Sequence, residues 1–518
     1  MFRKLYSNRL YIVLGPLALT APLTSFLRFY DIPFLSLEGF FSFAVLTLIG
    51  LIAGLVMALG GNLAQALISS GIIVILVCSE SSTSVLYPEV IRFRYVFLVS
   101  IFLVGTILYF LREHRIHFLL VIFGVMWLAG TISPSSEKNQ VVEKSHQPDT
   151  SLPPYIHIVL DEHIGIEGIP PSFDENNKFS LKLKKKYIDQ GFLIFGRAYS
   201  RFKKTEKSFT SFLNFQSSYD GDTYMNEEEI FTPNALFDTL AKRGYIINIF
   251  STTDFSLCDN NTTYRFGRCV TISGGGLKLY HNGILILHNL ARKMRLLNMY
   301  EVIASKLGMP EINTTMYPQT LKVVASTKEF VDFLGEGKRG NAYFIHLLLP
   351  HSPYFLDETC SYNYDGNFFA KEKIDIVYAR YIKQTQCTHT LVDKIINKLG
   401  SNNEAWDNTI VIHGDHGSRI PWKRDGTVSF ENEEYIQWFS TFFSIRSPDL
   451  TSGYDRRPFA LDELLKVSSL SKPDFRALDD KKEKFVYSLP KRQASNRYAE
   501  HEKFTLPPFA YGSRAQAW

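Results

Sequence analysis

The chain has 518 residues, 46% of them hydrophobic, and a formal net charge of +5. That length exceeds one small domain, and a charge so close to neutral excludes the broad basic face of a nucleic-acid binder. The apolar residues are unevenly spread, and the first 135 positions hold five apolar runs.

These runs cover 10–30, 33–59, 63–77, 95–110 and 116–132. Most approach the roughly 20 residues needed to cross a bilayer. A series of runs argues against a single cleaved signal peptide. Arg3, Lys4 and Arg9 precede the first run, and Arg112 and Arg115 lie between the fourth and fifth. The positive-inside rule then places the N-terminus in the cytoplasm, although Arg28, Arg92 and Arg94 do not all fit that side. Five spans put everything after Ser133 outside the cytoplasm; four would reverse it. Among the cysteines, only Cys78 lies in the apolar part. Cys258 with Cys269 and Cys360 with Cys387 form two sequence-local couples, which suits disulfides in an oxidising compartment. The polar residues 136–152 read as a linker, 153–470 as the main folded domain and 471–518 as a polar tail.

After the linker, strand and helix alternate. Strands are expected at 155–160, 192–195, 245–250, 342–349, 409–412 and 439–445. Helices are expected at 177–190, 234–243, 321–334, 371–399 and 461–467. Gly191, Gly244 and Gly400 close three of them. In the longest, Ile374, Tyr378, Tyr381, Leu391, Ile395 and Leu399 recur at helical spacing. Such alternation argues for an α/β domain with a mostly parallel central sheet, whose sites lie at the carboxyl ends of its strands.

Four strand ends carry chemistry. The first ends in Asp161-Glu162-His163, where either acid can ligate a metal through oxygen; a solvated turn or helix cap is the alternative. The second leads through Arg201, Lys203 and Lys204 to Thr205, at the expected start of a helix. Thr205 reads either as an N-cap or as a nucleophile activated by a metal at a helix N-terminus. The basic residues suit an anionic substrate or form an ordinary solvated face. The third carries His346 within the strand and His351 in the following loop, His351-Ser352-Pro353-Tyr354. His351 is placed to donate to a phosphoryl oxygen or a leaving group. The fourth gives Gly414-Asp415-His416-Gly417. In a continuing strand Asp415 and His416 would point to opposite faces; the glycines let the backbone turn so that both converge. A carboxylate beside an imidazole is a partial ligand set for zinc or manganese, and a polar strand-end turn is the alternative.

In this order, these motifs resemble the sulfatase-like branch of the alkaline phosphatase superfamily. Within it the chain looks like the membrane enzymes typified by lipoteichoic acid synthase and lipid A phosphoethanolamine transferase. The resemblance covers the soluble part to about Val467, and the number of spans. It implies a five-span helical bundle in a bacterial inner membrane, followed by a periplasmic alkaline-phosphatase-like α/β domain. It implies Glu162 as a metal ligand with Asp161 a second choice, Asp415 and His416 as the closing ligands, and Thr205 as both nucleophile and ligand. His351 would be the substrate-side histidine, with Lys204, Ser208, His346 and Arg419 around the substrate. Thr205-Glu206-Lys207-Ser208 stands where sulfatases carry Cys-x-Pro-Ser-Arg. Lacking the Cys or Ser that sulfatases convert to formylglycine, the chain departs from sulfate-ester hydrolysis. The implied reaction is metal-dependent transfer of a phosphoethanolamine or phosphoglycerol group from a membrane phospholipid to an envelope glycan or lipid. The alternatives are a hydrolase of sulfuric esters or phosphodiesters, and a non-catalytic envelope scaffold.

Overall fold

The computed structural model describes residues 8–29, 34–80, 93–111, 113–132, 142–143, 148–216, 234–251, 266–271, 337–352, 354–361, 374–399, 407–418, 432–488 and 502–509, with residues 257, 286, 287, 290, 291, 331 and 420. The chain divides into two compact units, the first holding the N-terminal helices and the second the sheet.

The first unit contains α1 (Arg9–Phe29), α2 (Leu37–Leu59), α3 (Asn62–Glu80), α4 (Phe93–Phe110) and α5 (Arg115–Ile132). Among the described residues, Arg9–Arg28 and Gly39–Leu59 are long and apolar enough to cross a membrane, while the apolar stretches in α3, α4 and α5 are shorter. α1 and α2 touch through small residues: a Cβ on Gly15 would stand 2.0 Å from the carbonyl oxygen of Gly50. Close backbone approach of this kind is how apolar helices associate without a hydrophobic drive between them. Arg115, expected in a loop, is instead buried at the start of α5. Its Nε donates to Tyr11 Oη at 3.0 Å, its Nη1 to the Asn62 carbonyl at 3.1 Å and its Nη2 to Gln65 Oε1. Polar groups near the starts of two other helices, α1 and α3, thus take up a charge that the sequence alone assigns to solvent.

Among the described residues, the second unit is built on a nine-stranded sheet. Its strands are β1 (Val142–Glu143), β2 (Tyr155–Asp161), β3 (Leu193–Phe195), β4 (Ile246–Ser251), β5 (Phe266–Thr271), β6 (Asn341–Pro350), β7 (Thr409–Gly414), β8 (Phe443–Arg446) and β9 (Gly453–Asp455), in the order β1-β5-β4-β6-β2-β7-β8-β3-β9. The centre is parallel, as β2 pairs with β6 and β7, and β4 with β5 and β6. Covered on both faces, β2 and β4 are buried throughout, as a central parallel sheet requires. The flanking helices are α6 (Lys178–Asp189), α7 (Thr205–Leu213), α8 (Ala235–Lys242), α9 (Ile374–Leu399), α10 (Asn432–Phe439) and α11 (Leu461–Ser468). Phe209, Phe212 and Leu213 of α7 join Leu236, Phe237, Val159, Val411 and Phe443 in one core.

Three expectations change. The strand placed at 439–445 begins only at Phe443 and runs antiparallel to β7. Phe439 ends α10, because Trp438 and Phe439 pack with Tyr199 and Val486 instead of extending. β7 runs two residues further, through Gly414. The tail forms an antiparallel pair, β10 (Phe485–Ser488) with β11 (Glu502–Thr505), and Tyr487 N–H donates to the Arg201 carbonyl at 2.8 Å. The helix expected at 321–334 lies outside the described residues, apart from Val331. Cys360 and Cys387 are disulfide-bonded. Cys269 is also disulfide-bonded, and Cys258, its expected partner, lies outside the described residues.

Candidate active site

β2 and β7 lie side by side in parallel, with Leu160 opposite Gly414. Their ends therefore deliver Asp161-Glu162 and Asp415-His416 to one place. Asp415 Oδ1 accepts from the N–H of Glu162 at 3.0 Å and from that of His416 at 2.8 Å. Gly414 and Gly417 serve close approach here, since neither takes a left-handed backbone. A Cβ on Gly417 would stand 1.8 Å from the Gln437 carbonyl, and one on Gly414 2.4 Å from Thr441 Oγ1.

Asp161, Asp415 and His416 are all buried, and their ligand atoms lie within 4.8 Å of one another. His416 Nδ1 donates to the Gly417 carbonyl at 2.7 Å, so in the neutral ring the Nε2 lone pair faces inward. It lies 3.4 Å from Asp415 Oδ2 and 3.9 Å from Asp161 Oδ1. Asp415 Oδ2 accepts no hydrogen bond among the described residues. Electron-rich atoms turned on one another in a buried site need a cation to be stable. The oxygen and nitrogen donors, and a backbone carbonyl fixing the histidine tautomer, are the chemistry of a divalent metal site. These residues fit a metal ion.

Thr205 is the first residue of α7, after Lys204 at the cap. Its Oγ1 is 3.2 Å from His416 Nε2. Phe209 and Phe212 bury the helix against the sheet and bring its N-terminus to the strand ends, where backbone N–H groups and the helix dipole favour negative charge. Ser208, buried one turn on, does not bond its own helix as its position suggests. It donates to the Asp415 carbonyl and meets Ser200 Oγ at 2.7 Å, fastening α7 to the turn.

Glu162 sits at φ 60°, a left-handed backbone that turns its side chain away from that of Asp161. Its Oε2 accepts from Ser352 N–H at 3.2 Å and from Tyr354 Oη at 3.5 Å, and its Oε1 lies 3.5 Å from His351 Nε2. Adjacent acids thus serve different neighbours: Asp161 joins Asp415 and His416, and Glu162 joins the His351 loop. His346 lies within β6, fully buried, with its ring 4.7 Å from that of Phe209; burial pushes its imidazole down to about 3. Arg201 is buried and bonds both carboxylate oxygens of Asp462, at 2.8 and 3.1 Å, while the Lys203 ammonium lies 4.4 Å over the Trp438 ring. Of the basic residues before α7, Lys204 is left beside Thr205. Lys207, which the sequence reading did not single out, joins it on the first turn, and burial pushes its amine down to about 8. Arg419 lies outside the described residues. Beyond the turns sit two buried histidine pairs, His157 with His413 at 2.7 Å and His163 with His389 at 2.8 Å between Nε2 atoms.

A buried acid–histidine group beside a helix-start hydroxyl, at the carboxyl edge of a parallel sheet, defines a metal-dependent enzyme of ester transfer or hydrolysis. Residues 174–440, just over half of the chain, match the sulfatase family, and the chain belongs to that family, within the alkaline phosphatase superfamily. Enzymes of this family are metal-dependent. The match begins after β2, so the place of Asp161 and Glu162 rests on the geometry. No curated protein matches the chain. Among solved structures, the zinc complex of the C-terminal periplasmic domain of EcEptC from Escherichia coli is 12% identical, over 72% of this chain and 97% of that one, with a TM-score of 0.43. A glycosaminoglycan sulfatase of Bacteroides thetaiotaomicron is 12% identical, over 68% and 83%, with a TM-score of 0.41. The phosphonate monoester hydrolase of Silicibacter pomeroyi is 17% identical, over 65% and 79%, with a TM-score of 0.40.

Proposed function

We propose that the protein is a phosphoryl-group transferase of the bacterial inner membrane, with the sheet-bearing unit on the periplasmic side of five spans. It moves a phosphoethanolamine or phosphoglycerol group from a phospholipid to an envelope glycan or lipid, with Thr205 as nucleophile. The observation that carries this is the Thr205 hydroxyl, at the N-terminus of α7 and 3.2 Å from His416 Nε2, in a position where a cysteine or serine would be needed for formylglycine chemistry.

Asp161, Asp415, His416 and Thr205 would hold zinc or manganese, with Glu162 beside them. When bound, the ion supplies Lewis-acid stabilisation of negative charge on oxygen. Thr205 Oγ1 gives up its proton to solvent and attacks phosphorus in line as the bond to the diacylglycerol oxygen breaks. His351, partly exposed at the loop tip, supplies the proton that this oxygen takes up. The first-turn N–H groups of α7, with Lys204 and Lys207, hold the phosphoryl oxygens. An acceptor hydroxyl then gives its proton to His351 and attacks the same phosphorus, and the Thr205 oxygen leaves and regains a proton from solvent. Membership of the sulfatase family favours a second reading, in which water takes the acceptor's place.

The test uses the full-length protein in nanodiscs, with head-group-labelled phosphatidylethanolamine and phosphatidylglycerol and an extract of envelope glycolipids. Label on a glycolipid, with diacylglycerol released, is the expected result. Label found only in a water-soluble ester favours the hydrolase, and no diacylglycerol from either lipid contradicts the donor class.

A further inference from the structure

α9 reaches both loops that carry the acid–histidine contact. Gln384 is fully buried. Its Oε1 accepts from the N–H groups of Phe355 at 3.0 Å and Leu356 at 3.2 Å. Its Nε2 donates to the carbonyls of Pro350 at 3.1 Å and His351 at 2.9 Å. One amide thus uses two acceptor and two donor positions on the backbone either side of Ser352, a set that among side chains of this length only glutamine offers. Three residues earlier, on the same helix face, Tyr381 Oη donates to the Glu162 carbonyl at 3.3 Å and accepts from Ile164 N–H at 2.8 Å. Three residues beyond Gln384, Cys387 is bonded to Cys360 at the far end of the loop.

We infer that Gln384 and Tyr381 are positioning residues. Gln384 holds the His351 loop, Tyr381 holds the Glu162 corner, and one rigid helix face sets the 3.5 Å approach of His351 Nε2 to Glu162 Oε1. The inference rests on the reading of His351 as a substrate-side group. Replacing Gln384 by an apolar side chain leaves two carbonyls and two N–H groups buried without their partner, so the loop must move to find others. Gln384→Glu keeps shape and acceptors but removes donation to the two carbonyls.

The experiment compares full-length Gln384→Met, Gln384→Glu and Tyr381→Phe with wild type. It reads amide hydrogen exchange, metal content and hydrolysis of bis(4-nitrophenyl) phosphate. In Gln384→Met, exchange over residues 350–361 rises by about tenfold while β2 and β7 are unchanged. Metal content stays equal, and kcat falls with KM changed by less than about twofold. Gln384→Glu restores part of the protection at Phe355 and Leu356, and Tyr381→Phe raises exchange at Ile164. In a His351→Ala background, Gln384→Met costs no further turnover, because it acts through that histidine. Unchanged loop exchange overturns the inference. So does exchange rising across the whole sheet, or a loss that adds to that of His351→Ala. If wild type does not cleave the probe, the proposed reaction is in question, while the exchange and metal measurements still decide the positioning role.

Discussion

Asp161 and Glu162 are neighbours in the chain but point to different partners, and the left-handed backbone at Glu162 is the cause. Such a backbone costs a glutamate on the order of 1–3 kcal/mol, and the bond from its N–H to Asp415 helps hold it. The arrangement gives an ordered prediction for metal content, measured by elemental analysis of purified protein. Asp415→Asn, His416→Ala and Asp161→Asn each lose most of the metal, and Glu162→Gln keeps more of it while losing turnover. A Glu162→Gln protein as empty as Asp415→Asn, beside a full Asp161→Asn, would return the ligand role to Glu162. The strand-end positions of all four groups were legible in the sequence, because short apolar runs ended in acids and histidine. Which acid turned inward was not legible, since residue type does not encode a positive φ at glutamate. Nor was the loss of Arg201 to Asp462, whose position 261 residues away only the fold brings near.

At the scale of elements, the strands under the site carry histidines where apolar residues are expected. His413 Nδ1 donates to the Gly414 carbonyl at 2.8 Å, so its Nε2 accepts from His157. Likewise His163 Nδ1 donates to the Ile164 carbonyl, and His389, whose Nδ1 meets Tyr187 Oη at 2.8 Å, donates to His163. Burial, with the paired imidazole next, pushes His157 and His389 well below the ordinary range. In the unfolded chain they titrate near 6.5. Below that pH the unfolded state binds more protons, so stability is intact above about 6.5 and falls as the pH drops, by up to about 1.4 kcal/mol per unit for each histidine. Denaturant midpoints of the full-length protein should therefore fall between pH 7 and 5, and His157→Leu should flatten the slope; midpoints level over that range would contradict the account. The disulfide that closes Cys360 onto α9 should be worth roughly 2–5 kcal/mol. Peptide mapping without reductant should recover it together with Cys258–Cys269, and a crossed pairing would refute that expectation. Helices and parallel strands were legible through their apolar spacing. The antiparallel direction of β8 and the tail pair β10–β11 were not, because apolar spacing carries no strand direction and the tail's polarity conceals Phe485, Val486 and Tyr487, which meet Phe202 and Tyr199.

For the whole molecule, five apolar helices among the described residues precede the sheet-bearing unit, and two of them are long and apolar enough to cross a bilayer by length and composition. A lipid donor suits an enzyme held in that bilayer, and disulfides suit a unit outside the cytoplasm. A periplasm-dependent reporter fused after Ser133 should accordingly be active, and the corresponding cytoplasm-dependent fusion silent. Activity of the cytoplasmic fusion alone would remove the five-span arrangement and the phospholipid route with it. Helix limits were legible to within a few residues. The burial of Arg115 was not, because its acceptors lie on α1 and α3.

The central claim is a covalent phospho-enzyme on Thr205. The direct measurement is peptide mass spectrometry of metal-loaded, full-length protein, quenched after exposure to phosphatidylethanolamine or phosphatidylglycerol, beside Thr205→Ala. A phosphoethanolamine or phosphoglycerol adduct should map to Thr205. The Thr205→Ala protein should carry metal and no adduct, with turnover lower by several orders of magnitude. An adduct on Ser208, or near-normal turnover in Thr205→Ala, would contradict the account.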